Sequence, residues 1–286
     1  MRRIWAAIIL ASIFVPSFAV ADASLAVNPL KYEEIIPDSA VRQGFIEVSN
    51  PSDTSVTVTS SVQGFRQANL NGDLAFFDDA VLSAAIIPDL PRFVLGAHEA
   101  IRVTFSVNPE KLPKGGVYAA IFFRTNPDSS KTKASYILES ANVGTLLILQ
   151  NGHSGQKIGR ITHLKLPFFQ FGTTIQGTSQ VENSKRDTGA LAFTPAIHTR
   201  ISVLGKSSTS HGPMVFPGGK RNSAFSLPGS YLGLLPVSVS SDISSGSQTQ
   251  WVLACTGNFG YIVLIFIAAA LVLFFSSFLL RKRRRK

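Results

Sequence analysis

Ile101, Val103, Phe105 and Val107 alternate with Arg102, Thr104 and Ser106, and Val56, Val58 and Val62 alternate with Thr57, Thr59 and Ser61. A period of two puts one set of side chains on each face of an extended chain, so these segments read as half-buried antiparallel strands. Turn signals at Asn50-Pro51-Ser52-Asp53, Asn71-Gly72-Asp73, Leu95-Gly96-Ala97 and Pro113-Lys114-Gly115-Gly116 separate them at intervals that suit short strands and tight loops. Before the C-terminal apolar run, no stretch past residue 22 keeps a helical period of 3.6. Val117 to Thr125 is apolar on both faces, which a strand tolerates only when it is central and covered on each side; it is the expected core strand. Residues 126–135 form a polar loop, and Tyr136 to Leu149 closes the first unit as a long strand or strand pair.

A second unit follows, with strands expected near Ile158 to Leu166, Gln176 to Asn183, Ile197 to Leu204, Ser223 to Leu227 and Leu232 to Val239. The fold class expected is all-β: two tandem Ig-like β-sandwich domains, 22–152 and 153–241, followed by a single C-terminal transmembrane helix. The one cysteine of the chain, Cys255, excludes an intramolecular disulfide, so core packing must hold the sandwiches together. Asn69 to Pro91 is the longest excursion of the first unit and carries Phe76, Phe77, Leu82, Ile86, Ile87 and Leu90; it is expected to fold back as a lid over the sandwich end, a ligand-binding edge being the alternative.

Both ends of the chain are apolar. Met1-Arg2-Arg3, the stretch Ile4 to Phe18 and the small-residue site Ala19-Val20-Ala21 read as a signal peptide, 1–21, with an uncleaved N-terminal anchor as the competing reading. At the other end, an uncharged run from Phe259 to Leu280 meets Arg281-Lys282-Arg283-Arg284-Arg285-Lys286. Roughly 20 apolar residues cross a hydrocarbon core of about 30 Å, and a basic cluster stays on the cytoplasmic side. The expectation is a span at 251–280, a cytoplasmic tail at 281–286, and a flexible Ser/Gly-rich tether at 242–250 that holds the second sandwich near the membrane. Trp251 is read as an interfacial belt residue and Cys255 as a small residue at the outer edge of the span.

That topology also explains the charge. The net +10 places eight charges on Arg2, Arg3 and the terminal cluster, leaving +2 for residues 22–250, where basic residues are scattered among acids. Nucleic acid is not an expected partner. No catalytic set appears either. The five histidines, His98, His153, His163, His198 and His211, stand without ligands at metal-site spacing. Ser154-Gly-Gln-Lys157 and Ser130-Lys-Thr-Lys133 match Ser-x-x-Lys, but in loops and without companion motifs. Glu33-Glu34 and Asp78-Asp79 point to opposite faces as neighbours on a strand. Asn69-Leu-Asn-Gly-Asp73 with Asp78 and Asp79 is oxygen-rich, so Ca²⁺ stands there as an alternative to solvated loop acids. No catalytic, cofactor-binding or metal-ligating residue is assigned, no cofactor is expected, and the chain reads as a non-enzyme.

Leu25-Ala-Val-Asn-Pro29, Gly44-Phe-Ile-Glu-Val-Ser-Asn-Pro51, Gly96-Ala-His-Glu-Ala-Ile-Arg-Val-Thr-Phe105 and Pro113-Lys-Gly-Gly-Val-Tyr118 together resemble the Ig-like first domain of bacterial WxL-interacting cell-surface proteins, whose plan is similar to the N-terminal domain of periplasmic pilus chaperones. The second unit resembles the membrane-proximal domain of such proteins in Val181-Glu-Asn-Ser, Pro195-Ala-Ile-His198, Val215-Phe-Pro-Gly-Gly-Lys-Arg221 and Gly229-Ser-Tyr231, although Pro217-Gly218-Gly219-Lys220 is looser than the family's Leu-Pro-Gly turn. The resemblance implies a first domain that engages peptidoglycan and a second that engages a protein. The resulting expectation is a single-pass type I membrane protein with an extracytoplasmic binding or scaffolding function, its partners the bilayer and either cell-wall peptidoglycan or a surface or secreted protein. A polysaccharide-binding module and a chaperone-like protein using strand-edge complementation are the alternatives.

Overall fold

The computed structural model describes residues 25–37, 39–126, 141–184, 189–244 and 246–283. The signal-peptide segment 1–21, most of the polar loop at 126–135 and the last three tail residues therefore lie outside the described residues.

Among the described residues, ten strands and one short α-helix build the first sandwich: β1 (Ala26–Asn28), β2 (Lys31–Ile36), β3 (Arg42–Ser49), β4 (Val56–Gln67), β5 (Leu74–Phe77), α1 (Ala80–Ala85), β6 (Ile86–Pro88), β7 (Arg92–Leu95), β8 (Ala100–Val107), β9 (Gly115–Asn126) and β10 (Asn142–Asn151). One sheet runs β1-β3-β8-β6 and the other β2-β10-β9-β4-β5, with β7 also pairing β4. The alternation in β8 is realised as written: Val103, Phe105 and Val107 are buried between the sheets with Ile46, Val48 and Ile121, while Arg102 and Thr104 face out. The Asn50 turn is built on a buried side chain, whose amide donates to the carbonyls of Thr54 and Gly96 at 2.7 and 2.8 Å while its oxygen accepts from the Ser52 N–H.

The Asn69 to Pro91 excursion is a structured flap. It holds β5, the six-residue helix α1 and β6, and it buries Leu82, Ala85 and Ile86 in the first core. Asp79 caps α1, accepting from the Val81 and Leu82 N–H groups at 2.8 and 3.1 Å. A helix of this length completes fewer than two turns, too few to show a 3.6 period in the sequence.

The second sandwich contains β11 (Gly159–Lys165), β12 (Phe169–Gly172), β13 (Thr174–Asn183), β14 (Ala196–Ile201), β15 (Lys206–His211), β16 (Lys220–Pro228), β17 (Leu232–Ser241) and β18 (Ser247–Thr256). Its sheets run β11-β13-β16 and β12-β18-β17-β14-β15 around Ile175, Phe225, Leu227, Val237, Val239 and Val252. On the three-stranded sheet, Arg160, Glu182 and Lys220 fall in one cross-strand row. Arg160 bonds the buried Glu182 carboxylate at 2.8 Å, and this hydrogen bond, with Lys220 adding to it, holds the carboxyl below its ordinary pKa against the effect of burial.

Two boundary expectations are corrected here. Residues 247–250, expected in a tether, and 251–256, expected in a membrane helix, form β18, which pairs antiparallel with β17 from Ser247↔Ser240 to Cys255↔Leu232. The second sandwich thus runs to Thr256 rather than ending at 241. The physical reason is that Trp251-Val-Leu-Ala-Cys255 is apolar on both strand faces, with Val252 and Ala254 inward and Trp251 and Leu253 outward, so it merges in the sequence with the apolar run behind it. Cys255 is accordingly a buried residue of a paired strand, not part of a membrane helix.

A helix, α2 (Asn258–Arg283), leaves β18 through Gly257, whose φ of 61° lies in the left-handed region and where a Cβ would meet the Ser230 hydroxyl at 2.2 Å. Among the described residues no helix is long and apolar enough to cross a membrane; side chains beyond Phe274 lie outside them.

The fully buried Phe123 on β9 fills the first core. Phe123→Ala is expected to lower stability by about 3–5 kcal/mol, read as a shift of the urea-unfolding midpoint, because it deletes an aromatic side chain from a site that strands on both sides keep from collapsing.

Candidate functional site

Strand β9 is apolar on both faces because each face has a different sandwich to meet. Val117, Ala119, Ile121 and Phe123 point into the first core. Tyr118, Ala120 and Phe122 point the other way and join Phe65 with Phe216, Ala192 and Met214 of the second sandwich. Three rings meet edge-to-face there: Phe65 and Phe216 at 5.2 Å, Tyr118 and Phe216 at 5.5 Å, and Phe65 and Tyr118 at 6.0 Å between centroids. Such pairs contribute about 0.5–1.5 kcal/mol each beyond the area they bury.

Polar groups fix this joint in one arrangement. The Tyr118 hydroxyl donates to the Ala190 carbonyl at 2.9 Å and accepts from the Ala192 N–H at 2.6 Å. Gln67 reaches across from β4, donating to the Lys220 carbonyl at 2.5 Å while its oxygen accepts from the Phe216 N–H at 3.4 Å. Gly115 and Gly189, both at positive φ, bring the two backbones so close that a Cβ on Gly115 would lie 2.3 Å from the Gly189 carbonyl oxygen.

Beside the joint lies a cleft of about 420 Å³. Glu33, Glu34 and Ile35 of β2, Tyr118 of β9, and Ile148 and Gln150 of β10 line one side, and Leu191, Ala192, Thr194 and Met214 the other, with Lys157 also present. The two carboxylates are already paired, Glu33 with Lys31 at 2.6 Å and Glu34 with Arg42 at 2.5 Å. These are exposed pairs and contribute little to stability.

The outer wall of the cleft is a sheet edge. β2 runs parallel to β10, and its only strand partner among the described residues is β10. Leu146 N–H donates to the Leu30 carbonyl at 3.0 Å and Gly152 N–H to the Ile36 carbonyl at 2.8 Å, so the even-numbered residues of β2 direct their backbone groups at β10. In a parallel strand the backbone groups of alternate residues point opposite ways, so Lys31, Glu33 and Ile35 present theirs outward. Leu30 and Ile35 are 70% and 52% exposed along the same segment.

The residues weighed for chemistry are dispersed. His98 meets Asp53 at 2.8 Å in an exposed turn, His198 meets Thr209 at 3.0 Å across β14 and β15, and Ser130-Lys-Thr-Lys133 lies outside the described residues. In the oxygen-rich loop, Asn69 bonds Asp73 at 2.7 Å and Asp78 accepts from Gln63 at 2.8 Å, while Asp79 is the α1 cap. Among the described residues no group of three or more His, Cys, Asp or Glu side chains converges as a metal site would require. The joint itself escaped sequence reasoning, since Phe65, Tyr118 and Phe216 are far apart in the chain; its one trace was the apolar second face of β9.

No protein-family model matches the chain, and no curated protein matches it. Among solved structures it is similar to the class 5 fimbriae chaperone CfaA, at 10% identity and a TM-score of 0.42 over 80% of this chain and 99% of that one. It is also similar to a chain of the CsuC–CsuE chaperone–adhesion subunit complex of Acinetobacter baumannii, at 13% and 0.40 over 81% and 99%, and to one of the Salmonella enterica SafA pilin–SafB chaperone complex, at 16% and 0.39 over 82% and 98%. Each likeness is low in identity and in TM-score, and none of them transfers a ligand, a partner or a role to this chain.

Burial pushes the Tyr118 phenol up to about 12, outweighing the hydrogen bond from Ala192 that lowers it. Its contribution is therefore complete below pH 10, where the unfolded phenol is still protonated, and is lost as pH rises from about 10 to about 12. Tyr118→Phe is expected to flatten stability over that window and to cost about 1–3 kcal/mol at neutral pH, because the Ala192 N–H loses its acceptor. Chemical denaturation of both proteins across the alkaline range checks it.

Proposed function

We propose that the chain is a membrane-anchored, extracytoplasmic, non-catalytic binding protein that holds an extended segment of a protein partner along the outer edge of β2. The observation that carries this reading is the row of outward backbone groups at Lys31, Glu33 and Ile35 beside the cleft. A segment added to such an edge gains main-chain hydrogen bonds, and its alternate side chains face the cleft lined by Tyr118, Ile148 and Met214. Affinity and selectivity then come from different parts of one concave surface. The ion pair of Lys31 with Glu33 leaves the edge with no net charge of its own there, so the partner is held by backbone geometry and apolar contact rather than by charge. The joint supports the reading by keeping the two walls of the cleft at a fixed separation.

The anchor rests on the sequence. Phe259 to Leu280 carries no charge, extends roughly 33 Å at 1.5 Å per residue, and ends in six consecutive basic residues. Together with the apolar N-terminal stretch, this orients both sandwiches away from the cytoplasm.

A proline at position 33 removes one outward N–H and leaves the even-numbered ladder to β10 intact, since edge strands tolerate proline where the N–H faces solvent. With a photo-crosslinker at Ile35 of the full chain in cells, a discrete partner adduct is expected. It should be lost with Glu33→Pro, kept with Glu33→Ala, and absent when the crosslinker sits at Val94 on the opposite edge. Adducts indifferent to the proline, or equal from Val94, would refute edge capture.

A further inference from the structure

The outer face of the β12-β18-β17 sheet is graded along its strands. In register, Phe171, Cys255 and Leu232 form the row next to the helix, Phe169, Leu253 and Leu234 the second, and Trp251 with Pro236 the third. Beyond them come Thr249 with Ser238, whose hydroxyls bond at 2.8 Å, and then Ser247 with Ser240. Apolar rows thus give way to tryptophan and then to hydroxyl side chains with distance from α2. None of the three strands contains Asp, Glu, Lys or Arg, whereas β14 and β15 on the far side carry Arg200 and Lys206. Phe169, Phe171 and Leu232 are each about 60% exposed, so none of the described residues covers this end of the sheet.

From this gradient we infer that the membrane-proximal end of the second sandwich is seated in the outer interfacial layer of the bilayer, its strand ends immersed and Trp251 at the outer boundary. The inference rests on the membrane-anchor part of the proposed function. Its occupant is fixed by continuity: the graded face abuts the base of the helix proposed to span. Gly257 N–H donates to the Gly172 carbonyl at 2.6 Å and Asn258 N–H to the Ser230 hydroxyl at 3.1 Å, tying the start of α2 to the end of β12 and to the β16–β17 turn with no tether between. Rows along a strand are about 6–7 Å apart, so the first two lie within about 10 Å of the strand end at Thr256. That depth matches the roughly 5–10 Å to which apolar faces sink at an interface, and Trp251 stands one row further out, about 17 Å along the strand from Thr256, at the limit of the headgroup layer where Trp is enriched. A dimer interface or a sugar-stacking platform gives no reason for the row order to follow distance from the helix.

The test uses the full chain with Trp5→Phe, which leaves Trp251 as the only tryptophan, in phosphatidylcholine–phosphatidylglycerol vesicles. Trp251 emission is expected to be blue-shifted and to be quenched more by lipids brominated near the headgroup than by deeply brominated ones. Adding Phe169→Ser and Phe171→Ser, at exposed positions that leave the core intact, should weaken that quenching and shift emission back toward its value in water. A chain that resists alkaline extraction yet has Trp251 quenched by aqueous iodide and not by bromolipid overturns the seating and leaves the anchor standing. Shielding from both quenchers, as a second copy or a protein would give, also overturns it. A chain extracted by alkali overturns the anchor and the seating together.

Discussion

The contact of Phe65 and Tyr118 with Phe216 is the constraint on which the arrangement of this protein depends. Neither sandwich can bury the outer face of β9 alone: its inner face is already committed to the first core, and three aromatic side chains in water would leave a large apolar patch. Docking the second sandwich there removes the patch and brings the Tyr118 hydroxyl between the backbone groups of Ala190 and Ala192. The polar contacts add direction to an attraction that has none. Apolar contact allows many relative orientations, but a phenol that must both donate to one carbonyl and accept from one N–H allows very few. The glycines at 115 and 189 let the backbones come near enough for that geometry.

Fixing the joint determines what the free surfaces can do. The joint sets the separation of β2 from residues 191–194, and in the proposed function an edge strand beside that cleft would discriminate among extended partners by side-chain size. The same rigidity passes down the chain. With β18 continuing to Thr256 and the helix base bonded to Gly172 and Ser230, the cleft, the second sandwich and the start of α2 form one mechanical unit. The membrane attachment proposed above would then set the direction in which the cleft faces, which a flexible tether would leave free.

The strand pattern was legible where one face meets solvent and the other the core. β8 and β4 could be read from alternation alone, and the second face of β9 betrayed a covering layer, though not what covers it. Legibility failed where the two faces are alike. β15 reads Lys-Ser-Ser-Thr-Ser-His, polar throughout because it lies at a sheet edge with little to bury. β18 failed in the opposite sense, apolar on both faces at its end and followed directly by a longer apolar run. The candidate site was less visible still. An unpaired edge is defined by the absence of a neighbour, and the outward groups of Lys31, Glu33 and Ile35 are backbone atoms that no residue type announces.

The two apolar faces of β18 bear on the end of the second sandwich next to α2. A segment resembles a membrane span when its outward residues lack the polar character that water demands of a solvated sheet face. Trp251 and Leu253 project from a folded, paired strand, so their apolar character is not needed for the core, which Val252 and Ala254 already fill. Ser and Thr take their place further along the same face of the same strands, so the sheet accepts polar outward residues wherever distance from the helix is larger. The change of composition along one continuous surface therefore follows the surroundings of the sheet rather than its folding. Surroundings that become less aqueous toward α2, over a few strand residues, are what the proposed seating at a bilayer interface supplies.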